Sequence, residues 1–81
     1  MPVSRFEDLD VDAVELTIAP ECKFLSKKYS IEQIPEELCI GAISRDNEII
    51  IPNNHTELYA GDELLVITKE ENISKAEKLF Q

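Results

Sequence analysis

Few side chains in this 81-residue chain have the type and spacing that catalysis requires. The single histidine, His55, lies in a polar stretch over residues 53–57, and this setting favours a solvated turn residue over a general base or a metal ligand. Ser26 and Ser44 have no histidine placed by a motif to activate them as nucleophiles. With one histidine and no cysteine cluster, the sequence also lacks the ligand set of a zinc site. We therefore predict a protein that is not an enzyme and has no catalytic or metal-binding residues.

Acidic doublets are the next feature that could bind a ligand, and they occur at residues 36–37, 62–63 and 70–71. Calcium and magnesium need several oxygen ligands that converge on one point. Adjacent residues on a strand or helix point in different directions, and the chain has no DxDxDG loop that would bring carboxylates together. The doublets are therefore interpreted as solvated acidic surface, with weak cation binding left open.

Arg45 is the positive side chain that the pattern places best for binding an anion. It follows an apolar stretch in a chain with 8 Lys and Arg against 17 Asp and Glu. A guanidinium at this position could hold the phosphate or carboxylate of an effector such as a nucleotide. The alternative is that Arg45 pairs with Asp46, with Glu48 or with a carboxylate of a partner chain.

Composition excludes several classes of function. The formal net charge of −9 repels phosphate backbones, so nucleic acid and an anionic membrane surface are not expected as partners. A hydrophobic content of 43% argues against disorder over the whole chain, and no apolar stretch approaches the ~20 residues of a membrane span. The acidic N-terminal stretch is unlike a signal peptide, so we expect one small cytoplasmic domain. Cys22 and Cys39 are then expected to be reduced thiols, although a disulfide stays open.

The elements that must position these side chains follow from hydrophobic periodicity. Residues 1–12 are acidic with little apolar pattern, and they are interpreted as a lead-in or linker. Strict alternation of apolar and polar residues over 13–18 predicts a half-buried strand. A short helix is predicted over residues 26–34, with Ser26 as its cap and a stop at Pro35.

Three further strands and a second helix complete the pattern. Residues 38–43 are apolar on both faces, which predicts a strand that is buried on both sides or lies at an interface. A tight turn at residues 46–47 joins it to a strand at 49–51, and another strand follows at 63–68. The helical spacing of apolar residues predicts the last element over residues 70–80. The sum is an α+β domain in the order strand, helix, three strands, helix, with a mixed or antiparallel sheet of about four strands.

Four short motifs occur in a fixed order along these elements. They are Ile34-Pro35 before a strand, AISR at residues 42–45, IIIP at residues 49–52 and LYAGDELLV at residues 58–66. Together with the order of elements over residues 13–80, they make the chain resemble the TrkA C-terminal domain family, also called the RCK C-terminal domain family. Members of that family that bind cyclic di-AMP carry an Asp-Ile-Arg type of segment after the first helix, and residues 30–37 contain none.

The resemblance implies a non-catalytic regulatory domain over residues 13–81 that senses a ligand and forms a homodimer. Such domains act in potassium and other cation transport systems, where they follow a Rossmann-like domain of the same chain or serve a membrane-embedded transporter or channel subunit. The chain has no GxGxxG motif, so it is expected to be a C-terminal piece of a larger protein or a stand-alone subunit. The resemblance implies no resident cofactor, and the expected effector is a small molecule such as a nucleotide, or a cation.

A dimer would give the apolar strand over residues 38–43 a second interpretation. It is either plain core or part of the dimer face, and its apolar residues on both sides favour the dimer face. A ligand pocket is then predicted between the two protomers. Its lining residues are predicted to be Ile34, Pro35, Leu38, Cys39, Ile40 and Arg45.

Two other classes of function stay open. One is a pure oligomerisation or interaction module that holds larger subunits together without a ligand. The other is a swapped-hairpin DNA-binding protein, in which a Gly-Asp dipeptide can also precede a strand. The net charge of −9 argues against it, because the one basic cluster, at residues 23–28, is too small to form a face for duplex DNA.

Overall fold

An antiparallel sheet backed by one α-helix forms the domain in the computed structural model, which describes residues 3–22 and 30–81. The strands are β1 Val3–Phe6, β2 Val11–Thr17, β3 Cys39–Arg45, β4 Glu48–Ile50 and β5 Glu63–Thr68, and the helix is α1 Ile73–Phe80. Within the described ranges these strands make one five-stranded sheet in the order β1-β2-β5-β3-β4. Because β5 enters between β2 and β3, the central strand of the sheet is the last one in the chain.

The strands predicted at residues 13–18, 38–43, 49–51 and 63–68 are confirmed as β2, β3, β4 and β5, with ends that shift by at most two residues. The C-terminal helix is confirmed as well, as a 3-10 turn over Glu70–Asn72 that runs into α1. Every strand pair in the described part of the chain is antiparallel. The α+β class is therefore confirmed.

The N-terminal segment differs from the lead-in that the sequence predicts for residues 1–12. Val3–Phe6 pairs antiparallel with β2, with Val3 opposite Val14 and Phe6 opposite Val11. A 3-10 turn follows at Glu7–Leu9, and Asp10 takes a positive φ of 52° before β2 begins. The sequence gives no sign of this strand because four residues are too few to establish a periodic pattern.

The predicted helix over residues 26–34 lies partly outside the described residues, which exclude 23–29. Its described end is a 3-10 turn at Ile31–Gln33. The backbone N–H of Ser30 donates to Oε1 of Gln33 at 2.9 Å, and the N–H of Gln33 donates to the carbonyl of Ser30 at 3.0 Å. The backbone is already extended at Ile34, as expected for the residue before a proline.

One face of the sheet forms the hydrophobic core. Two cross-strand pairs between β2 and β5, Val14 with Val66 and Leu16 with Leu64, have side chains at most 2% exposed. Phe80 of α1 is fully buried against this face. The helix thus closes the core, and the opposite face of the sheet is left open in the described part of the chain.

The C-terminal end of α1 is fastened to the segment that follows β2. The N–H of Ala19 donates to the carbonyl of Phe80 at 2.9 Å, and the thiol of Cys22 donates to the carbonyl of Leu79 at 2.9 Å. Cys22 is buried and Cys39 is exposed, and both are free thiols. These contacts satisfy carbonyl groups that the last turn of a helix leaves without an intrahelical partner.

A register shift in β3 decides which of its side chains enter the core. Ile40 pairs with Val66 whereas Ala42 pairs with Leu65, so Gly41 is an extra residue in the ladder. Such a bulge breaks strict alternation. As a result, Ile40 and Ile43 both face the core although they are three residues apart. Of the two interpretations of this strand, burial on both sides is wrong because the other face is partly open, and a position at an interface stays a prediction.

Candidate functional site

Arg45 lies at the end of β3 and is held by an internal carboxylate. Its Nε donates to Oδ1 of Asp62 at 2.8 Å, and its Nη2 donates to Oδ2 of Asp62 at 2.7 Å. The same Nη2 donates to the carbonyl of Glu57 at 3.0 Å, and Cζ lies 4.6 Å from the centroid of the Tyr59 ring. The guanidinium therefore combines a bidentate ion pair with a cation–π contact.

Asp62 in turn holds the tight turn that precedes β5. Its Oδ2 accepts a hydrogen bond from the N–H of Tyr59 at 2.9 Å, and its carbonyl accepts one from Ile18 at 2.9 Å. Gly61 has a φ of +85°, a conformation in which glycine is strongly favoured. The Gly61-Asp62 pair of the LYAGDELLV motif is thus a structural turn whose acidic residue is neutralised by Arg45.

This contact supports the second of the two interpretations of Arg45, in which its guanidinium forms an ion pair with a carboxylate. The alternative to anion binding is an ion pair with Asp46, with Glu48 or with a carboxylate of a partner chain, and the structure shows a pair with Asp62 of the same chain. The hydrogen bonds to Asp62 raise the pKa of Arg45 above its ordinary value, so the guanidinium is charged at every relevant pH. Nη1 makes no hydrogen bond to the residues that the structure describes, and the side chain remains 26% exposed.

The other residues of the predicted pocket lie at the opposite end of β3. Ile34, Leu38 and Ile40 are buried in the core, and Pro35 is partly buried. Cys39 is exposed, and its side chain lies on the open face of the sheet because its cross-strand partner is Ile67 rather than a core residue. Six residues of strand separate Cys39 from Arg45, which is about 20 Å at the usual rise per residue. Within one copy of the chain, the structure therefore does not bring Arg45 together with the other five.

The acidic doublets do not form a cation site in the described ranges, where no three His, Cys, Asp or Glu residues are placed to share a metal ion. Glu37 forms an ion pair with Lys75 of α1, and this contact lowers the pKa of Glu37. His55 is exposed, and its backbone N–H donates to Oδ1 of Asn53 at 2.8 Å. No helix in the described part of the chain is long and apolar enough to cross a membrane.

A shallow groove of about 230 Å³ on the open face of the sheet was not predicted from the sequence. It crosses β2, β5, β3 and β4, so its members are scattered along the chain. The lining residues are Glu15, Ala42, Ser44, Ile49, Glu63 and Leu65, together with Leu64, whose own side chain belongs to the core. Small residues at the outward positions of β3 are the only signal in the sequence, and they become informative once the pairing of the strands is known.

Comparison with known proteins shows which family and which relatives this chain is similar to. The family model described as the TrkA-C domain matches residues 13–81. The Trk system potassium uptake protein TrkA homolog of Archaeoglobus fulgidus is 30% identical over 81 residues, which is 100% of this chain and 19% of that protein. The Trk system potassium uptake protein TrkA homolog 1 of Methanosarcina mazei is 28% identical over 75 residues, which is 93% of this chain and 17% of that protein.

A solved structure shares the fold. It is described as "Structure of RCK domain with cda", superposes with a TM-score of 0.72 at 21% identity, and covers 85% of this chain and 97% of that chain. The chain spans about one fifth of the length of the curated relatives it matches. The family model nevertheless begins at the third residue of β2 and runs to the end of the chain, and the fold agrees with it. The chain belongs to the TrkA-C domain family.

Proposed function

We propose that this chain is a non-catalytic regulatory domain of a potassium or other cation transport system, where it senses a small ligand and dimerises. The observation that carries the proposal is the match of the TrkA-C domain model over residues 13–81. The relatives that match the whole chain or nearly all of it are named as potassium uptake proteins, which supports the transport assignment. The proposed location is the cytoplasm, at the inner face of the membrane through a transporter or channel partner.

The small share of the related proteins that the domain covers supports a partner outside the matched part. The domain corresponds to 19% of the Archaeoglobus fulgidus protein, so most of that protein lies outside the matched part. A regulatory domain acts on something else, and we propose a Rossmann-like domain of the same parent chain or a membrane-embedded subunit as its target. In this arrangement residues 13–81 form the regulatory unit and residues 1–12 connect it to what precedes, with β1 extending its sheet.

The proposed effector pocket lies between two protomers and uses Ile34, Pro35, Leu38, Cys39, Ile40 and Arg45. Pro35 and Cys39 offer surface at one end of β3, whereas Arg45 lies about 20 Å away at the other end. Arg45 can therefore reach the same pocket only from the partner copy. Its Nη1 hydrogens, which make no bond to the described residues, would be the donors to an anionic effector.

A ligand screen combined with sedimentation equilibrium tests this function. Nucleotides, cyclic dinucleotides and divalent cations are added separately while the melting temperature is followed. A true ligand at 100 times its Kd stabilises the fold by about 2.7 kcal/mol, which raises the melting temperature of a domain of this size by roughly 10 °C or more. A chain that sediments as a monomer at the highest protein concentration measured would contradict the dimer. A melting temperature that no compound changes would contradict ligand sensing.

A pure oligomerisation module is the second candidate function. The observation in its favour is that Arg45 already has a carboxylate partner, Asp62, so the best anion-binding side chain of the chain is engaged internally. This candidate predicts a dimer whose stability does not change with any small molecule. A dimer without a ligand response would therefore select it over the regulatory domain.

A further inference from the structure

The groove on the open face of the sheet has a definite shape because of how its strands pair. Ala42 lies opposite Leu65, and Ser44 lies between Glu63 of β5 and Ile49 of β4. Alanine and serine are smaller than these neighbours, so β3 forms a trough with larger side chains on both sides. Apolar atoms of Leu65 and Ile49 make its walls, and the hydroxyl of Ser44 offers one hydrogen-bonding group at its base.

Charge in the groove is of one sign. Glu15 lies opposite Leu65, and Glu63 is its diagonal neighbour, about 7–8 Å away across the two strands. Both side chains are exposed, and no lysine or arginine is among the residues that line the groove. The net charge of −9 adds a negative field over the whole surface, which favours the approach of a positively charged partner.

The groove also opens toward an edge of the sheet. In the described residues β4 is the outermost strand on this side, so its outer backbone groups have no strand beside them. Ile49, which lines the groove, is 69% exposed, and Ile51, the first residue after β4, is 75% exposed. Exposed apolar side chains beside an acidic groove suit a segment that carries both apolar and basic residues.

We propose that this groove is a docking site for a basic, partly apolar segment of a partner protein. Its lysine or arginine side chains would meet Glu15 and Glu63, and its apolar side chains would cover Leu65 and Ile49. A second copy of the chain is a poor occupant, because it would bring its own two carboxylates against these. The proposal goes beyond the regulatory function and does not rest on it, since the residues that line the groove and the six residues of the proposed effector pocket have no member in common.

Two nine-residue peptides serve as probes, one alternating leucine with lysine and one alternating leucine with glutamate. In ¹⁵N-HSQC titrations of the full chain, the basic peptide should shift the amides of Ala42, Ser44, Ile49 and Leu65 saturably, and the acidic peptide should not. The variant Glu15→Gln/Glu63→Gln should weaken binding about tenfold, because two charge contacts at the rim of the groove are lost. A Ser44→Lys variant, which places a competing cation in the groove, should also bind more weakly.

The matched control is Glu21→Gln/Glu71→Gln, which removes two exposed carboxylates elsewhere and changes the net charge by the same amount. It should leave the affinity within about twofold, since only long-range attraction is reduced. Equal weakening in both double variants would show attraction to the overall charge and overturn the site. Shifts at other amides or no saturable shift would also overturn it. Concentration-dependent shifts of the groove amides without peptide would assign the face to a second copy instead.

Discussion

The ion pair between Arg45 and Asp62 can be tested quantitatively through the stability of the fold. In an Arg45→Met variant, the carboxylate of Asp62 loses two charge-assisted hydrogen bonds and keeps the one donated by the N–H of Tyr59. Breaking a buried ion pair costs about 3–5 kcal/mol, because one charge is left without its partner. Asp62 is 2% exposed but Arg45 is 26% exposed, so water reaches part of the gap, and we expect a loss of about 2–4 kcal/mol.

A loss of this size is large for a domain whose total stability is expected to be about 4–12 kcal/mol. Urea unfolding at pH 7, followed by far-ultraviolet circular dichroism, should therefore show a much lower midpoint with an unchanged slope. Asp62→Asn removes the buried charge itself. In the double variant Arg45→Met/Asp62→Asn no carboxylate is stranded, so its cost should fall short of the sum of the two single costs by about 1–3 kcal/mol.

Lys75→Met provides the matched comparison, because it removes the cation of an ion pair whose two side chains are 51% and 44% exposed. An exposed pair contributes little, so this variant should unfold close to the midpoint of the natural chain. The reasoning is refuted if Arg45→Met costs no more than Lys75→Met, or if the two single costs in the double-variant cycle simply add.

Three further predictions concern the turn, the exposed ion pair and the core. Gly61→Ala should lower the free energy of unfolding by about 1 kcal/mol through backbone strain alone, since φ is +85° and no atom lies within 4 Å of the new Cβ. Urea unfolding measures this loss, and an unchanged midpoint would contradict the prediction. Because Lys75 lowers the pKa of Glu37, the pair contributes stability above the unfolded-state pKa of Glu37, and this stability is lost as the pH falls through the folded-state pKa. Carboxyl NMR titration should show a higher pKa of Glu37 in Lys75→Met. An unchanged pKa would show that the contact does not form in solution. Phe80→Ala should cost about 3–5 kcal/mol because the side chain is fully buried, and a thermal transition near that of the natural chain would show that α1 does not close the core.

Elements with an internal pattern could be predicted from the sequence, and contacts between distant segments could not. The alternation around Leu16 identified β2, and the spacing of apolar residues up to Phe80 identified α1, because each pattern reports burial on one face. The partner of Arg45 is 17 residues away, and Asp62 looked like half of an acidic doublet until the pairing of β3 with β5 placed the two together. β1 could not be predicted because its four residues are too few to show an alternating pattern.

The bulge at Gly41 determines the position of both the Arg45–Asp62 ion pair and the groove on the open face of the sheet. A shift of one residue in register exchanges the two faces of a strand. Because the extra residue lies between Ile40 and Ala42, the chain beyond it presents Ile43 to the core and Ala42 to the open face. Arg45, two residues beyond Ile43, is then on the side where Asp62 lies, while the small side chains of the groove face outward. A change that removed the bulge would therefore alter the Arg45–Asp62 ion pair and the acidic groove together, since both depend on the same register.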